Sequence, residues 1–412
     1  MTRLLIYNSV MNILFITDLY PVKDTETTTP KTLLNFTKEW EKQGHTVKVI
    51  KPNFILNSFL RGKPFYKTGQ YGNVYNVNYW TPFLGSGKLK VESGKLEEQT
   101  ARGQEGKPLT VESGKSDNSQ FSTFNFQLDN SSPSYTSDFH TSVVIAHMPS
   151  GILFADKLGL PFVAGIHNSD LTVLTSPLYA FHFRKRMIRA LKNAKAIACR
   201  SFVIKNKLLK IFPEFENKTF VAPSGIDEKI INDTNYSPLT THSSPLKILT
   251  CAHFKKRKNI DKLIKACKNI DDIELTVIGD GKIRKSLEKL DKNVIFTGEL
   301  EQEQVYEKMR ESDVFILPST DETFGMVYLE AMASGCITVC TKNDGIDGII
   351  KDGENGFLTE PDVENIKDTI LKIKTLPPET IETIKQNTLE TVKEYTSSKV
   401  AENYLKEILK IF

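Results

Sequence analysis

The chain has no CxxC pair. Its five cysteines, Cys199, Cys251, Cys267, Cys336 and Cys340, are an odd number with no histidine at zinc-site spacing, which argues against a disulfide framework and against a structural zinc centre. Reduced thiols in a cytoplasmic protein are expected. Also missing is any apolar run approaching the ~18 residues of a membrane-spanning helix, so no such span is expected. Charge of one sign is not in excess: 54 Lys+Arg stand against 50 Asp+Glu, a formal net charge of +4. That balance falls short of a dedicated nucleic-acid binder, and no nucleic-acid partner is expected. What is present is ordinary globular composition, 39% hydrophobic and 25% charged over 412 residues. At ~150 residues per domain, this length calls for two large domains rather than one core.

Residues 1–10 read as an extension, cut by Asn8, with no small-residue cleavage site after Leu4-Leu5-Ile6. Ile13-Leu14-Phe15-Ile16-Thr17, bounded by Asp18 and Pro21, has the form of a buried strand. Helical periodicity over Lys31–Gln43 (Leu33, Leu34, Phe36, Trp40) stops at Gly44, and Val47–Ile50 resumes a strand. Strand, helix, Gly, strand is a βαβ unit. The alternation returns at Val143–Ile145, Phe162–Gly165 and Ala196–Ala198, so residues 11–230 are expected to form a parallel α/β domain. A second series (Lys247–Thr250, Glu274–Ile278, Val294–Phe296, Val314–Leu317, Ile337–Cys340, Gly356–Leu358) predicts another over 247–392. Residues 231–246, rich in Asn, Thr, Ser and Pro, have the composition of a linker.

Residues 85–137 stand apart. Lys90-Val91-Glu92-Ser93-Gly94-Lys95 recurs as Thr110-Val111-Glu112-Ser113-Gly114-Lys115 within polar surroundings. An insertion in a surface loop is expected, because added length costs little closure entropy and the segment has few apolar residues to bury. Gly114-Lys115-Ser116 is not a phosphate-binding P-loop, since Leu109 stands where its first Gly is needed. Gly279-Asp280-Gly281 is not a dinucleotide fingerprint, since Arg284 stands where its third Gly is needed.

The most informative string is Asp321-Glu322-Thr323-Phe324-Gly325-Met326-Val327-Tyr328-Leu329-Glu330-Ala331-Met332-Ala333-Ser334-Gly335, after the strand Val314–Leu317 and the break Pro318-Ser319. Two glutamates eight apart mean nothing alone, and a pair of solvated helix carboxylates is the plain alternative. The whole string, however, resembles the Glu-x7-Glu motif of retaining nucleotide-sugar glycosyltransferases of family 4, the glycosyl transferases of group 1. In that reading Glu322 lies in a loop and a helix begins near Phe324–Gly325. The helix's free N–H groups and positive dipole end, with Met326 beside them, hold a pyrophosphate. Glu330, two turns into the helix, points back toward the ribose.

The resemblance extends along most of the chain outside the insertion. Cys251-Ala252-His253-Phe254-Lys255-Lys256-Arg257-Lys258-Asn259-Ile260-Asp261 is similar to the strand-end loop whose Arg and Lys neutralise the donor diphosphate. Lys258 falls on that Lys. His253 stands at the Arg, with Lys256 or Arg257 able to supply the charge. Gly165-Ile166-His167-Asn168-Ser169-Asp170 resembles the His-Gly-Ser-Asp stretch whose His contacts the donor sugar, and His147-Met148-Pro149-Ser150-Gly151 and Pro223-Ser224-Gly225-Ile226-Asp227 also match the family. The loop Pro21–Pro30 lacks the family's glycines, and Asn343-Asp344-Gly345-Ile346 only approximates its Gly-Gly-Ile.

The resemblance implies a GT-B α/β fold, two Rossmann-like domains facing each other across a cleft, with a helix at 397–412 packing back on the first. It implies a hexosyltransferase that retains anomeric configuration and needs no metal or other cofactor. Glu322, His167 and Lys258 are the expected catalytic residues, and His253, Arg257, Phe324, Gly325, Met326 and Glu330 the expected donor-binding residues. Partners would be a nucleotide-sugar donor and a glycan or lipid-linked glycan acceptor, as in cell-surface polysaccharide synthesis. The alternatives are a nucleotide-sugar epimerase or hydrolase of the same fold, or a non-catalytic GT-B subunit. Residues 171–213 hold ten Lys/Arg and no acid, so a cytoplasmic enzyme peripheral to an anionic membrane surface, touching it through 184–210, is weighed against a solvated basic helix.

Overall fold

The computed structural model describes residues 10–23, 32–54, 66–79, 91–93, 109–113, 124–128, 140–177, 183–232, 245–268 and 270–411. The extension 1–9, the loop 24–31, most of the insertion 85–137 and the linker residues 233–244 lie outside them. The chain divides into two compact units. One comprises residues 1–199, 208–220 and 401–412, the other residues 200–207 and 221–400.

The first unit is built on strands β1 (Asn12–Ile16), β2 (Thr46–Phe54), β3 (Gly69–Tyr71), β4 (Val74–Tyr79), β9 (Val143–His147), β10 (Phe162–Ile166), β11 (Ala196–Cys199) and β12 (Thr219–Val221). They are ordered β12-β11-β10-β9-β1-β2-β4-β3. β9 and β10 are buried along their whole length, the mark of a parallel sheet covered on both faces. The helix Thr32–Lys42 buries Leu33, Leu34, Phe36, Thr37 and Trp40, one stripe at helical spacing. β3 departs from the parallel run, pairing antiparallel with β4.

Three strands lie in the expected insertion: β5 (Val91–Ser93), β6 (Leu109–Ser113) and β7 (Phe124–Leu128), joined by β8 (His140–Thr141) in a four-stranded sheet. Polar composition suggests a plain loop, whereas the two copies of the repeat pair side by side, Val91 with Val111 and Glu92 with Glu112. The physical reason is period-2 alternation, which Val-Glu-Ser and Phe-Asn-Phe-Gln-Leu both carry at low overall hydrophobicity.

The second unit contains β13 (Leu246–Cys251), β14 (Ile273–Ile278), β15 (Ile295–Gly298), β16 (Val314–Leu317), β17 (Ile337–Thr341) and β18 (Phe357–Thr359), ordered β15-β14-β13-β16-β17-β18. Every pairing is parallel. Alternate residues sort to opposite faces. Ile248, Val314, Ile316 and Val339 join one core with the helices Ile260–Cys267 and Val363–Lys374. Leu249, Phe315, Leu317 and Cys340 join the other with the helix Met326–Ala333.

The second sheet has the doubly wound order 3-2-1-4-5-6, and β4-β2-β1-β9-β10-β11 repeats it within the first, with β3 and β12 at the two edges; such an order places a crevice at the carboxyl ends beside the first strand. The units divide before the Pro223–Asp227 turn rather than at 231–246. Ile226 belongs to the second unit's core, and its backbone exchanges bonds with Tyr395 and Ser397 at 3.0 and 2.7 Å. The second division falls within the helix Ser397–Ile411, of which residues 401–411 belong to the first unit.

Candidate active site

In the second unit, β13 and β16 run side by side at the switch point. After β13 the chain makes a 3-10 turn at Lys256–Lys258 and enters the helix Ile260–Cys267 through Asn259, whose φ of 51° is a left-handed conformation that Asn tolerates better than most residues. After β16 the loop carries Asp321 at φ 62° and Gly325 at φ 88° before the helix Met326–Ala333. Asn259 Nδ2 donates to the Pro318 carbonyl at 2.8 Å, and Thr320 N to the Arg257 carbonyl at 2.8 Å. The two loops are therefore held as one body. A Cβ at Gly279 or Gly281 would fall 2.1 Å from the Ala252 oxygen or 2.6 Å from that of Phe254, so the glycines after β14 let a third loop pack against the first.

Polar groups converge on one oxygen. Glu322 Oε1 accepts from Lys258 Nζ, from Arg257 Nη1 at 2.7 Å and from Ser319 Oγ at 2.8 Å. Burial pushes the Glu322 carboxyl up, but Lys258, then Arg257 and Ser319, more than offset it and hold it below the usual range. The Glu322 backbone N–H donates to Asp344 at 3.1 Å, as does that of Gly345 at 2.9 Å, so the Asp344 carboxylate fixes the course of the motif loop. Lys258 and Arg257 thus bring two cations to the carboxyl ends of β13 and β16, the groups a diphosphate would pair with. Two further groups flank Cys251, whose thiol burial, with Glu330 next, pushes up to about 12, while Lys258 opposes. Burial pushes the carboxyl of Glu330 itself to about 7.

The structure thus brings Glu322, Lys258 and Arg257 together and places Glu330 on the following helix, one turn in rather than two, because the helix starts at Met326. Phe324 is a buried core side chain and Met326 packs against the same core, so toward a ligand Phe324 and Gly325 present backbone. His253 is exposed and acts on Asp280 rather than Glu322. Sequence reasoning did not single out Ser319, Asn259 or Asp344 as site residues; for Asp344 the signal was the departure from Gly-Gly-Ile.

In the first unit, His167 follows β10 and is buried. Its backbone N–H donates to Asp170 Oδ2 at 2.6 Å, and its Nε2 lies 3.0 Å from Nδ1 of His147, the last residue of β9. Burial, with a contribution from Asp18, pushes Asp170 to about 8.

Residues 234–391 match the family model of the glycosyl transferases group 1. The chain carries a glycosyl transferases group 1 domain. That domain includes Lys258, Arg257, Glu322, Glu330 and Asp344. The chain is 31% identical over 232 residues to an uncharacterized glycosyltransferase of Methanocaldococcus jannaschii, covering 54% of this chain and 61% of the relative. Against the sulfoquinovosyl transferase of Arabidopsis thaliana it is 27% identical, over 58% of this chain and 50% of the relative. The chain therefore spans about half to three fifths of the length of these relatives. Among solved structures, sucrose-phosphate synthase from Thermosynechococcus elongatus superposes with a TM-score of 0.63 at 16% identity, over 98% of this chain and 99% of that one. The Anabaena protein HepE, solved in complex with UDP, superposes with a TM-score of 0.60 at 15% identity, over 97% and 100%. These likenesses show the fold, which is GT-B. Among the described residues no helix is long and apolar enough to cross a membrane.

Proposed function

We propose that the protein is a retaining glycosyltransferase that moves a sugar from a nucleotide-sugar donor to a glycan or lipid-linked glycan acceptor in cell-surface polysaccharide synthesis. The observation that carries this reading is the convergence of Lys258, Arg257 and Ser319 on Glu322 at the carboxyl ends of β13 and β16, within the group 1 domain. A departing nucleotide diphosphate is dianionic or more. Lys258 and Arg257 take up that charge, together with the N–H groups that open the helix Met326–Ala333. In this account no metal ion is needed, and activity should withstand chelation.

Glu322 stays ionised across neutral pH because the cations hold its carboxyl down. Donor binding then exchanges part of the Lys258 and Arg257 pairing from carboxylate to phosphate. That leaves Glu322 charge available to the sugar hydroxyls and to the positive charge developing at the anomeric carbon. Glu330 accepts from the ribose hydroxyls, and His167 bonds a hydroxyl of the donor sugar. A lipid-linked acceptor is supported by similarity to an alpha-monoglucosyldiacylglycerol synthase of Acholeplasma laidlawii, at 25% identity, and by the basic helix Phe183–Asn193, which buries Met187, Ala190 and Leu191 and exposes Lys185, Arg186 and Lys192.

The test is a thermal-shift panel of UDP-, GDP-, ADP- and CMP-sugars, since a bound ligand raises apparent stability by mass action. The donor it selects is then incubated with lipid-linked glycan, and the anomeric configuration of the product is read by NMR. Transfer with retention supports the reading. Epimerised or merely hydrolysed donor, or no stabilisation by any member, contradicts it.

A further inference from the structure

We propose that Tyr306 sets specificity for the nucleoside half of the donor: its hydroxyl donates to a ribose oxygen beside Glu330, so that the site selects a ribonucleotide over its deoxy counterpart. The proposal rests on the ribose role given to Glu330 above. Tyr306 lies on the helix Gln302–Arg310. That helix follows β15, which runs parallel to β14, and so it starts at the carboxyl end of the sheet, the end that carries the Lys258–Glu322 cluster. The Tyr306 ring is buried in the core that also holds Leu329 and Met332, two residues of the helix that carries Glu330. Side chains on a helix lean toward its N-terminus. The Tyr306 hydroxyl is accordingly at the first turn, where Gln302 Nε2 donates to it at 2.5 Å.

Hydrogen-bonding capacity is left over at this point on both helices. Gln302 occupies a lone pair of the phenol oxygen, so the O–H proton remains to be given. Burial first, and the Glu330 carboxylate next, push the phenol up, with the Gln302 bond opposing and Asp227 and Glu303 adding to the rise. Tyr306 therefore keeps its proton, and Glu330 is the charge that acts on it most. The Glu330 carboxylate accepts no hydrogen bond and makes no ion pair among the described residues, and burial is the influence that acts on it.

An ionised carboxylate only accepts, and this phenol has a proton to give. A ligand hydroxyl does both, so one that reaches between them donates to Glu330 and accepts from Tyr306. The diol of a ribose presents such groups. Taking a hydroxyl away leaves the carboxylate and the phenol unpaired in a largely dry setting, and a site built to bond a hydroxyl turns that loss into discrimination. Gln302 sets the direction of the phenol's proton. The turn on which Gln302 sits is held in place by the Glu301 N–H, which donates to Gln304 Oε1 at 3.1 Å.

The test is calorimetric titration of the full-length protein with UDP, GDP, ADP and CMP, and then with the 2′-deoxy and 3′-deoxy counterparts of the one that binds best. Wild type should bind the ribonucleotide at least ~100-fold more tightly than one of its two deoxy forms. Tyr306→Phe should weaken the ribonucleotide about tenfold and leave that deoxy form unchanged, so that the ratio falls about tenfold. Should Tyr306→Phe fold poorly, Gln302→Glu, at an exposed position, supplies the second variant. Its carboxylate takes the phenol's proton, and the ratio should fall in the same way whatever the added charge does to both affinities together. An unchanged ratio in the variants, or no preference for the ribonucleotide in wild type, would overturn the proposal. Glu330→Gln with wild-type affinity for both forms would instead overturn the ribose role of Glu330, the Tyr306→Phe ratio still deciding the part of Tyr306. Binding of none of the four nucleotides would overturn the donor site as a whole, and this proposal with it.

Discussion

Glu322 and Glu330 are the same amino acid, eight residues apart, and the fold pushes their carboxyls in opposite directions. At Glu322, Lys258 and Arg257 outweigh burial and hold the group ionised. Replacing it by Gln keeps its size and removes its charge, and turnover should fall at least ~100-fold, the scale of one preorganised electrostatic contact. At Glu330 burial acts without an opposing cation and raises the carboxyl from 4.5 to about 7. A carboxyl raised in the folded state favours folding while protonated, and that contribution is lost as pH rises from the unfolded value through 7. At one pKa unit per 1.4 kcal/mol, the ionised Glu330 costs about 3 kcal/mol of stability at pH 8. Glu330→Gln should therefore melt higher than wild type at pH 8 and equally at pH 4, while binding donor more weakly. Equal melting at both pH values would show that the carboxyl is not destabilised by its burial.

At the scale of elements, the site depends on two loops being locked together. Asn259 combines a left-handed backbone, φ 51°, with a side-chain bond to the Pro318 carbonyl at 2.8 Å. Asn259→Ala leaves a buried carbonyl short of a partner and strains the backbone, a loss of about 2–4 kcal/mol. Asn259→Gly should recover the backbone part only, as chemical denaturation would show. The loops' strands were legible in the sequence because Val314–Leu317 and Lys247–Thr250 are short apolar runs bounded by breakers. The edge pair β3 and β4 was not, since Val74–Tyr79 turns Asn76 inward, where it bonds the Tyr66 carbonyl at 3.1 Å and erases the hydrophobic period. The helix start expected near Phe324–Gly325 was legible to within a residue, Gly325 being the N-cap, while Phe324 itself belongs to the core. Asp344 accepts from the Glu322 backbone N–H 22 positions away, a distance over which local pattern carries no information.

At the scale of the molecule, the doubly wound order of both sheets was implied by the alternation of strand and helix, whereas the division between units was not. A polar linker composition marks where chain can be flexible, but Ile226 and the Pro223–Asp227 turn are committed to the second unit by buried packing. Charge is also distributed unevenly, the formal net charge of +4 coexisting with ten Lys/Arg in residues 171–213. Sedimentation with anionic liposomes should bring the protein down at low salt and release it as salt is added. Reversal of Lys185, Arg186 and Lys192 to Glu should abolish that binding; Arg189 is left in place because it already bonds Asp156 at 2.8 Å. Equal binding to neutral vesicles, or none to either, would restrict this helix to a structural role.

The most direct test of the central claim is calorimetric titration of wild type and Lys258→Ala with the nucleotide-sugar that stabilises the protein best. Lys258 is largely buried against Glu322, and its assigned task is to neutralise the donor diphosphate. Loss of a charge-assisted contact of this kind, on the order of 1.5–3 kcal/mol, predicts donor affinity at least tenfold weaker in the variant. Equal affinity in the two proteins would contradict the assignment of this cluster as the diphosphate site.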